Sequence, residues 1–249
     1  MQPEIGLGPL TLKTFGIMFA LGFLGAGAVS ARRFKELGKP VDWAYEMIFA
    51  ALVGGIVGAR VYYLAQNWGD VNDDLFGNLF SGSGLVWYGG ALGGAIAVFI
   101  WAWRRNFLTL ALLDLAATPL ALGYAIGRIG CQLSGDGDYG TPSDLPWAMS
   151  YPDGTVPTND RVHPTPIYES ISMALIAWVL WTLRDRFAPG LLFALYLVLS
   201  GLERFLVEFL RRNDEVWAGL TMPQIESLVL MLIGGTWFAL ASRRRTVPA

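Results

Sequence analysis

Apolar residues gather along this chain in runs of about 20, each long enough to carry a helix across hydrocarbon. Seven such runs stand out: Leu10–Val29, Ala44–Ala65, Leu85–Trp103, Leu108–Gly127, Pro166–Leu183, Leu191–Leu210 and Pro223–Ala241. Their ends are fixed to within about four residues. The pattern predicts an all-α, polytopic integral membrane protein with seven transmembrane helices in a single domain over 1–249. One polar stretch is long, from about Leu133 to Thr165, and it is rich in Gly, Pro, Asp, Ser and Thr. That composition makes turns rather than core. It predicts an extracytoplasmic arm or lid over 133–165, between the fourth and fifth helices. Trp147 and Tyr151 suit the interface, where amphipathic rings are favoured.

The short polar connections set the orientation. Arg32, Arg33, Lys35 and Lys39 follow the first span, Arg104 and Arg105 the third, Arg184 and Arg186 the fifth, and Arg243, Arg244 and Arg245 the last. The alternate connections are acidic, with Asp70, Asp73 and Asp74, then Asp136, Asp138, Asp144, Asp153 and Asp160. The positive-inside rule then puts the N-terminus outside and the C-terminus in the cytoplasm. Arg211 and Arg212 break the pattern, with Asp214 and Glu215 beside them. Composition agrees with a membrane protein: 54% of the 249 residues are apolar and 15% charged, against about a quarter charged in soluble domains. The net charge of −2 gives no footprint for nucleic acid. The single cysteine excludes an intrachain disulfide framework or a Cys-rich metal site. No basic n-region with a small-residue cleavage site opens the chain, so the first apolar run is expected to stay as a helix.

Charges inside the runs carry the candidate chemistry. Lys13, Glu46, Arg60, Asp114, Arg128, Glu203, Arg204 and Glu208 all fall in or near spans. A charge at mid-bilayer costs from about 2.5 to 17 kcal/mol by different measures, so such groups face a polar interior and have partners. Lys13 and Glu46 lie near span ends and can snorkel; Asp114 fits a structural pairing. LERFLVEFLRR places Arg204, Glu208 and Arg211 at i, i+4 and i+7, on one helix face. Arg128 comes to the same outer end from the fourth span. Two arginines on separate helices can form a clamp for an anion, or interhelical salt bridges that lock the bundle.

Glycine is the second signal. YGGALGGA opens the third span with Gly89, Gly90, Gly93 and Gly94, and GGIVGA, Gly54 to Ala59, lies in the second. Small residues at this spacing let helices approach closely; a smooth groove for lipid tails or a peptide is the other reading. Around Arg128, GYAIGRIGCQLSGDGDYG runs from apolar helix into a glycine–aspartate loop. Exposed amides of such a loop, with Gly130 and Gly140, and a guanidinium make a cradle for phosphate, the natural anion of a lipid headgroup.

GRIGCQLSGDGDYG resembles the signature of bacterial prolipoprotein diacylglyceryl transferases, Gly-Arg-x-Gly-Asn followed by a glycine–acidic loop. WYGGALGG, RVHPTPIYES, and LERFLVEFLRRNDE with GLTMPQIES resemble three further blocks of that family, in order, over roughly Thr14 to Ile225. The resemblance implies an inner-membrane enzyme, its site facing the extracytoplasmic side. It would move the diacylglyceryl group of phosphatidylglycerol to the lipobox cysteine of a prolipoprotein and release glycerol phosphate. It needs no cofactor and no metal. Arg128 and Arg204 would stabilise the leaving phosphate. Arg128, Gly89, Gly90, Gly130, Gly140, Glu208 and Arg211 would hold the phospholipid. Tyr88 or His163 would activate the thiol, because thiolate is the nucleophile. Tyr168 and Glu169 would tie the arm to the fifth span. The chain departs from the pattern with Cys131 in place of asparagine, Tyr88 in place of histidine and Phe15 in place of tyrosine. Cys131 is read as a small lining residue, since the reacting thiol belongs to the substrate. The alternatives are a relative with another lipid donor or without activity, and a lipid-binding or transport protein. The last would favour inverted repeats with interrupted spans, which the sequence does not display.

Overall fold

A computed structural model describes residues 1–8, 10–71 and 86–243. Asp73, Asp74, Leu85, Arg244 and Arg245 lie outside the described residues. Each apolar run contributes one long helix: α1 Thr14–Glu36, α2 Asp42–Gln66, α3 Trp87–Arg104, α4 Leu110–Ser134, α5 Thr165–Leu183, α6 Leu191–Glu208 and α7 Met222–Arg243. Five of them, α1, α2, α4, α5 and α7, are long and apolar enough to cross a membrane. The other two carry the polar or small positions that the sequence singles out. α6 holds Glu203, Arg204 and Glu208, and α3 holds four glycines. The chain is a polytopic, mostly helical membrane protein.

Three two-stranded hairpins depart from the all-α expectation. β1 (Glu4–Leu7) pairs with β2 (Leu10–Lys13), so α1 begins at Thr14 rather than at Leu10. Thr14 donates from both its amide and its hydroxyl to Pro3 O, at 2.9 and 3.0 Å, which stops the hairpin where the helix starts. β3 (Met149–Tyr151) and β4 (Thr158–Val162) form the arm's hairpin. β5 (Glu215–Trp217) and β6 (Leu220–Thr221) join α6 to α7 through Ala218 and Gly219, both at positive φ, as a two-residue hairpin turn requires.

The described residues divide between 29 and 30 and between 112 and 113 into two compact units, the first made of the two outer parts of the chain and the second of the middle part. In the second unit α1 ends in a Schellman motif, Gly38 at φ 65° with Lys39 N donating to Phe34 O and Gly38 N to Lys35 O. α2 and α3 pack backbone to backbone. A Cβ on Gly58 would stand 2.3 Å from Gly89 O, and one on Gly93 2.3 Å from Gly54 O. Glu46 is not solitary: it accepts from Trp101 Nε1 at 2.8 Å and pairs with Arg105. Phe34, Trp43, Trp101 and Phe107 pack at that end.

In the first unit Ala117, Ala121 and Ala125 of α4 bury against Met173, Ala177 and Leu180 of α5 and Leu192 of α6. Asp114 of α4 accepts from Gly190 N at 2.6 Å and Phe193 N at 2.9 Å. A carboxylate thus satisfies the orphan amides and favours the positive end of α6. α7 opens on a capping box, with Thr221 N donating to Gln224 Oε1 and Gln224 N to Thr221 Oγ1. The arm is a built structure. Tyr139 stacks on Tyr151 at 4.8 Å between ring centres, Val162 is fully buried beside them, and Arg161 bonds the carbonyls of Leu145, Pro146 and Ala148.

Candidate active site

The site lies in the first unit and is organised around one carboxylate. Glu169 stands in the second turn of α5, behind Thr165 and Pro166, with its side chain fully buried. Its Oε1 takes Arg204 Nη1 at 2.9 Å, Arg128 Nη2 at 3.0 Å and the hydroxyl of Tyr124 at 3.0 Å. Its Oε2 lies 3.4 Å from Arg211 Nη1. Helices α4 and α6, and the turn after α6, therefore deliver three guanidinium groups to a single acid.

Two further carboxylates complete the set. Glu208 follows Arg204 by one helical turn and reaches Arg204 Nη2 at 2.9 Å and Arg211 Nε at 3.8 Å through Oε2. The Arg204 contact is an ion pair without hydrogen-bond alignment. Glu208 Oε1 accepts from Thr221 Oγ1 at 2.9 Å and from Asn213, so the capping residue of α7 also holds the site. Asp138, from the arm, bridges Arg128 with one oxygen and Arg211 with the other. Burial alone would push the Asp138 carboxyl up, but the two guanidiniums outweigh it and hold the group below the ordinary carboxylate range. Burial likewise opposes the charge of Arg211, and Asp138 and Glu169 more than restore it. Three guanidiniums are thus each met by carboxylates in direct ion pairs, as charges shielded from water require.

The arm is fastened so that Asp138 stays in place. Thr165 Oγ1 donates to Asp138 O, Gly140 N to His163 O at 2.8 Å, and Thr141 N to Leu210 O at 2.8 Å. Arg212 Nε donates to Gly140 O at 2.8 Å while its guanidinium lies over the Tyr139 ring. Gly140 has no room for a side chain, since a Cβ would meet Leu210 O at 2.3 Å.

The structure brings together Arg128, Arg204, Glu208 and Arg211. It gives the other expected residues different surroundings. Gly130 lies against α1, where a Cβ would be 3.1 Å from that of Met18. Gly140 serves the packing of the arm. His163 Nδ1 is 3.4 Å from the Tyr168 hydroxyl, which accepts from Trp147 Nε1 at 2.7 Å. Tyr168 is thus joined to the arm, whereas Glu169 is the hub of the cluster. Tyr88, Gly89 and Gly90 belong to the second unit. There Tyr88 is exposed beside Trp87, and Gly89 contacts Gly58 and Tyr62 of α2. Cys131 is buried with Sγ 3.7 Å from Arg128 Nη1. Its sulfur lies near Asp136 and Asp138, but the guanidinium of Arg128 beside all three opposes a cation there.

Sequence reading missed Asp138, Tyr124 and the part played by Glu169. Tyr124 carried a signal, standing four residues before Arg128 on one helix face; its hydroxyl accepts from Arg128 Nη2 at 2.9 Å. Asp138 carried none that set it apart from the loop's other acids.

Apolar spans around a cluster of buried arginines and carboxylates define a polytopic membrane protein with an internal ionic site. Comparison with known proteins gives the family. The prolipoprotein diacylglyceryl transferase family model matches residues 4–240, and the chain belongs to that family. It is 35% identical over 230 residues to the phosphatidylglycerol–prolipoprotein diacylglyceryl transferase of Clostridium tetani, covering 90% of this chain and 91% of the relative. It is 32% identical over 253 residues to the transferase of the same name from Chromohalobacter salexigens, covering 98% and 92%. The corresponding Mannheimia succiniciproducens protein is 31% identical over 258 residues, covering 96% and 92%.

Proposed function

We propose that this chain moves the diacylglyceryl group of phosphatidylglycerol onto the lipobox cysteine thiol of prolipoproteins. The sulfur attacks the glyceryl carbon bonded to the phosphate oxygen. A C–S bond forms, the C–O bond breaks, its electron pair leaves with the phosphate, and glycerol phosphate departs. The thiol proton passes to a base, for which His163 and Tyr88 are the candidates, and then to the released phosphate or to water. The observation that carries the reading is the convergence of Arg128 and Arg204 on Glu169. Guanidiniums held this way are oriented before the reaction, so they stabilise charge growing on a leaving phosphate without reorganising. Arg211 and Glu208 are read as the outer part of the same phospholipid site. Gly130 and Gly140 shape the walls, and Gly89 and Gly90 the packing of α2 on α3. No cofactor or metal enters the scheme.

The transferase is read as one transmembrane domain of seven spans in a bacterial cytoplasmic (inner) membrane, N-terminus outside and C-terminus inside, with the arm over 133–165 on the extracytoplasmic side. The charge pattern of the connections supports this. Prolipoprotein signal peptides are presented on that side, where the arm offers a surface for them. Purified protein incubated with phosphatidylglycerol and a lipobox peptide tests the proposal by mass: the peptide gains one diacylglyceryl unit. A peptide with serine in place of cysteine gains nothing. No gain with the cysteine peptide refutes the function.

A further inference from the structure

A phosphate entering this cluster meets arginines that already have carboxylate partners. Arg128, Arg204 and Arg211 all meet Glu169, and Glu208 stands 2.9 Å from Arg204 Nη2. Those two acids have side chains 0% exposed. Asp138 differs on three counts. It is the most exposed of the six, at 31% against 10 to 23% for the arginines. It comes from the arm and not from a span. It also places one oxygen on each of two guanidiniums carried by different segments, the arrangement in which two non-bridging oxygens of a phosphate would bind.

We propose that Asp138 is a built-in counter-anion, a carboxylate that occupies the phosphate position between Arg128 and Arg211 and exchanges with the phosphate of the substrate and product. The inference rests on the transferase reading above and assigns Asp138 a part in it. Before lipid binds, the carboxylate gives a second acid to two guanidiniums that otherwise share Glu169. The lipid's phosphodiester displaces it on binding. After transfer the carboxylate returns and competes glycerol phosphate out of the site. No bond is made or broken in the exchange; one anion replaces another at the same donors. The carbonyl of Asp138 keeps its bond from Thr165 and Gly140 keeps its bond from Arg212, so rotation of one side chain suffices. Asp138 thereby sets how tightly an anionic headgroup is held, trading affinity for release.

The test is the binding of glycerol 1-phosphate to the full-length protein in detergent, together with steady-state transfer. Asp138→Asn keeps the shape and removes the charge. It is expected to bind glycerol 1-phosphate about tenfold tighter, the scale of one charge-assisted hydrogen bond, with a lower KM for phosphatidylglycerol and a lower kcat from slow release. Asp138→Glu restores the charge and moves both constants back toward wild type. A merely structural carboxylate would weaken binding on removal. Binding of glycerol 1-phosphate to Asp138→Asn that is equal to or weaker than wild type overturns the proposal. A second readout uses wild type alone. With ¹³C-labelled aspartate, glycerol 1-phosphate must shift the infrared band of a carboxylate bound to guanidinium; an unchanged band also overturns it. Wild type that transfers the lipid while failing either readout removes this inference and leaves the proposed function standing. Wild type that passes both yet transfers nothing removes the function and keeps the exchange.

Discussion

At the scale of single residues, the guanidinium groups of the site are positioned and not merely charged. Arg128→Ala and Arg204→Ala are each expected to lower transfer by about two to three orders of magnitude, the range lost when a pre-set donor to a developing anion is removed. The mass assay reads this, with membrane insertion checked in the same preparation. Cys131→Asn is expected to leave transfer within a few-fold of wild type. The thiol lies 3.7 Å from Arg128 and near Asp136 and Asp138; an amide oxygen can accept from the guanidinium as sulfur can, and an amide NH2 can donate to a carboxylate. Loss of transfer would give the thiol a role of its own. Tyr88→Phe compared with His163→Ala separates the two candidate bases: the true one lowers kcat and flattens one limb of the pH–rate profile, and the other does not. The arginines were legible in the sequence because a cation inside an apolar run demands a partner. Their partners were less so. Glu169 follows a His-Pro-Thr-Pro turn and looked like a link to the arm. Asp138 is one acid among five in its segment, and only the fold decides which of them meets the arginines.

At the scale of elements, hydropathy marks helices well because each span must satisfy its own backbone and meet lipid along most of its length. It says little about short strands. The hairpins Glu4–Lys13 and Glu215–Thr221 have strands of two to four residues, too short for an alternating pattern to show against an apolar background. Leu10 and Leu12 accordingly read as helix although they belong to β2. The two glycine readings separate at this level as well. Gly58 and Gly89 face each other with backbone oxygens 2.3 and 2.4 Å from where a Cβ would be, which makes close packing of α2 on α3 their use. Gly58→Val is therefore expected to destabilise that pair by about 1–3 kcal/mol, as overpacking does. A lower unfolding midpoint in detergent checks it, and a stability equal to wild type would mean that α2 and α3 are less closely packed than described.

At the scale of the whole molecule, family likeness and charge pattern make independent statements. The family model covers residues 4–240, and the cationic connections follow alternate spans, Arg211 and Arg212 excepted. A reporter fused at the N-terminus is expected to be active only outside the cytoplasm, and one fused at the C-terminus only inside. Both reporters on one side would remove a span and, with it, the placing of the arm. Glu208 adds a consequence for biosynthesis. Its Oε1 is held by Thr221, the cap of the last helix. A nascent chain that stops short of Thr221 already carries all three arginines and all three acids, yet one of those acids still lacks its hydroxyl donor. The last helix thus completes the donors of Glu208, which Asn213 alone supplies until that helix is made and packed.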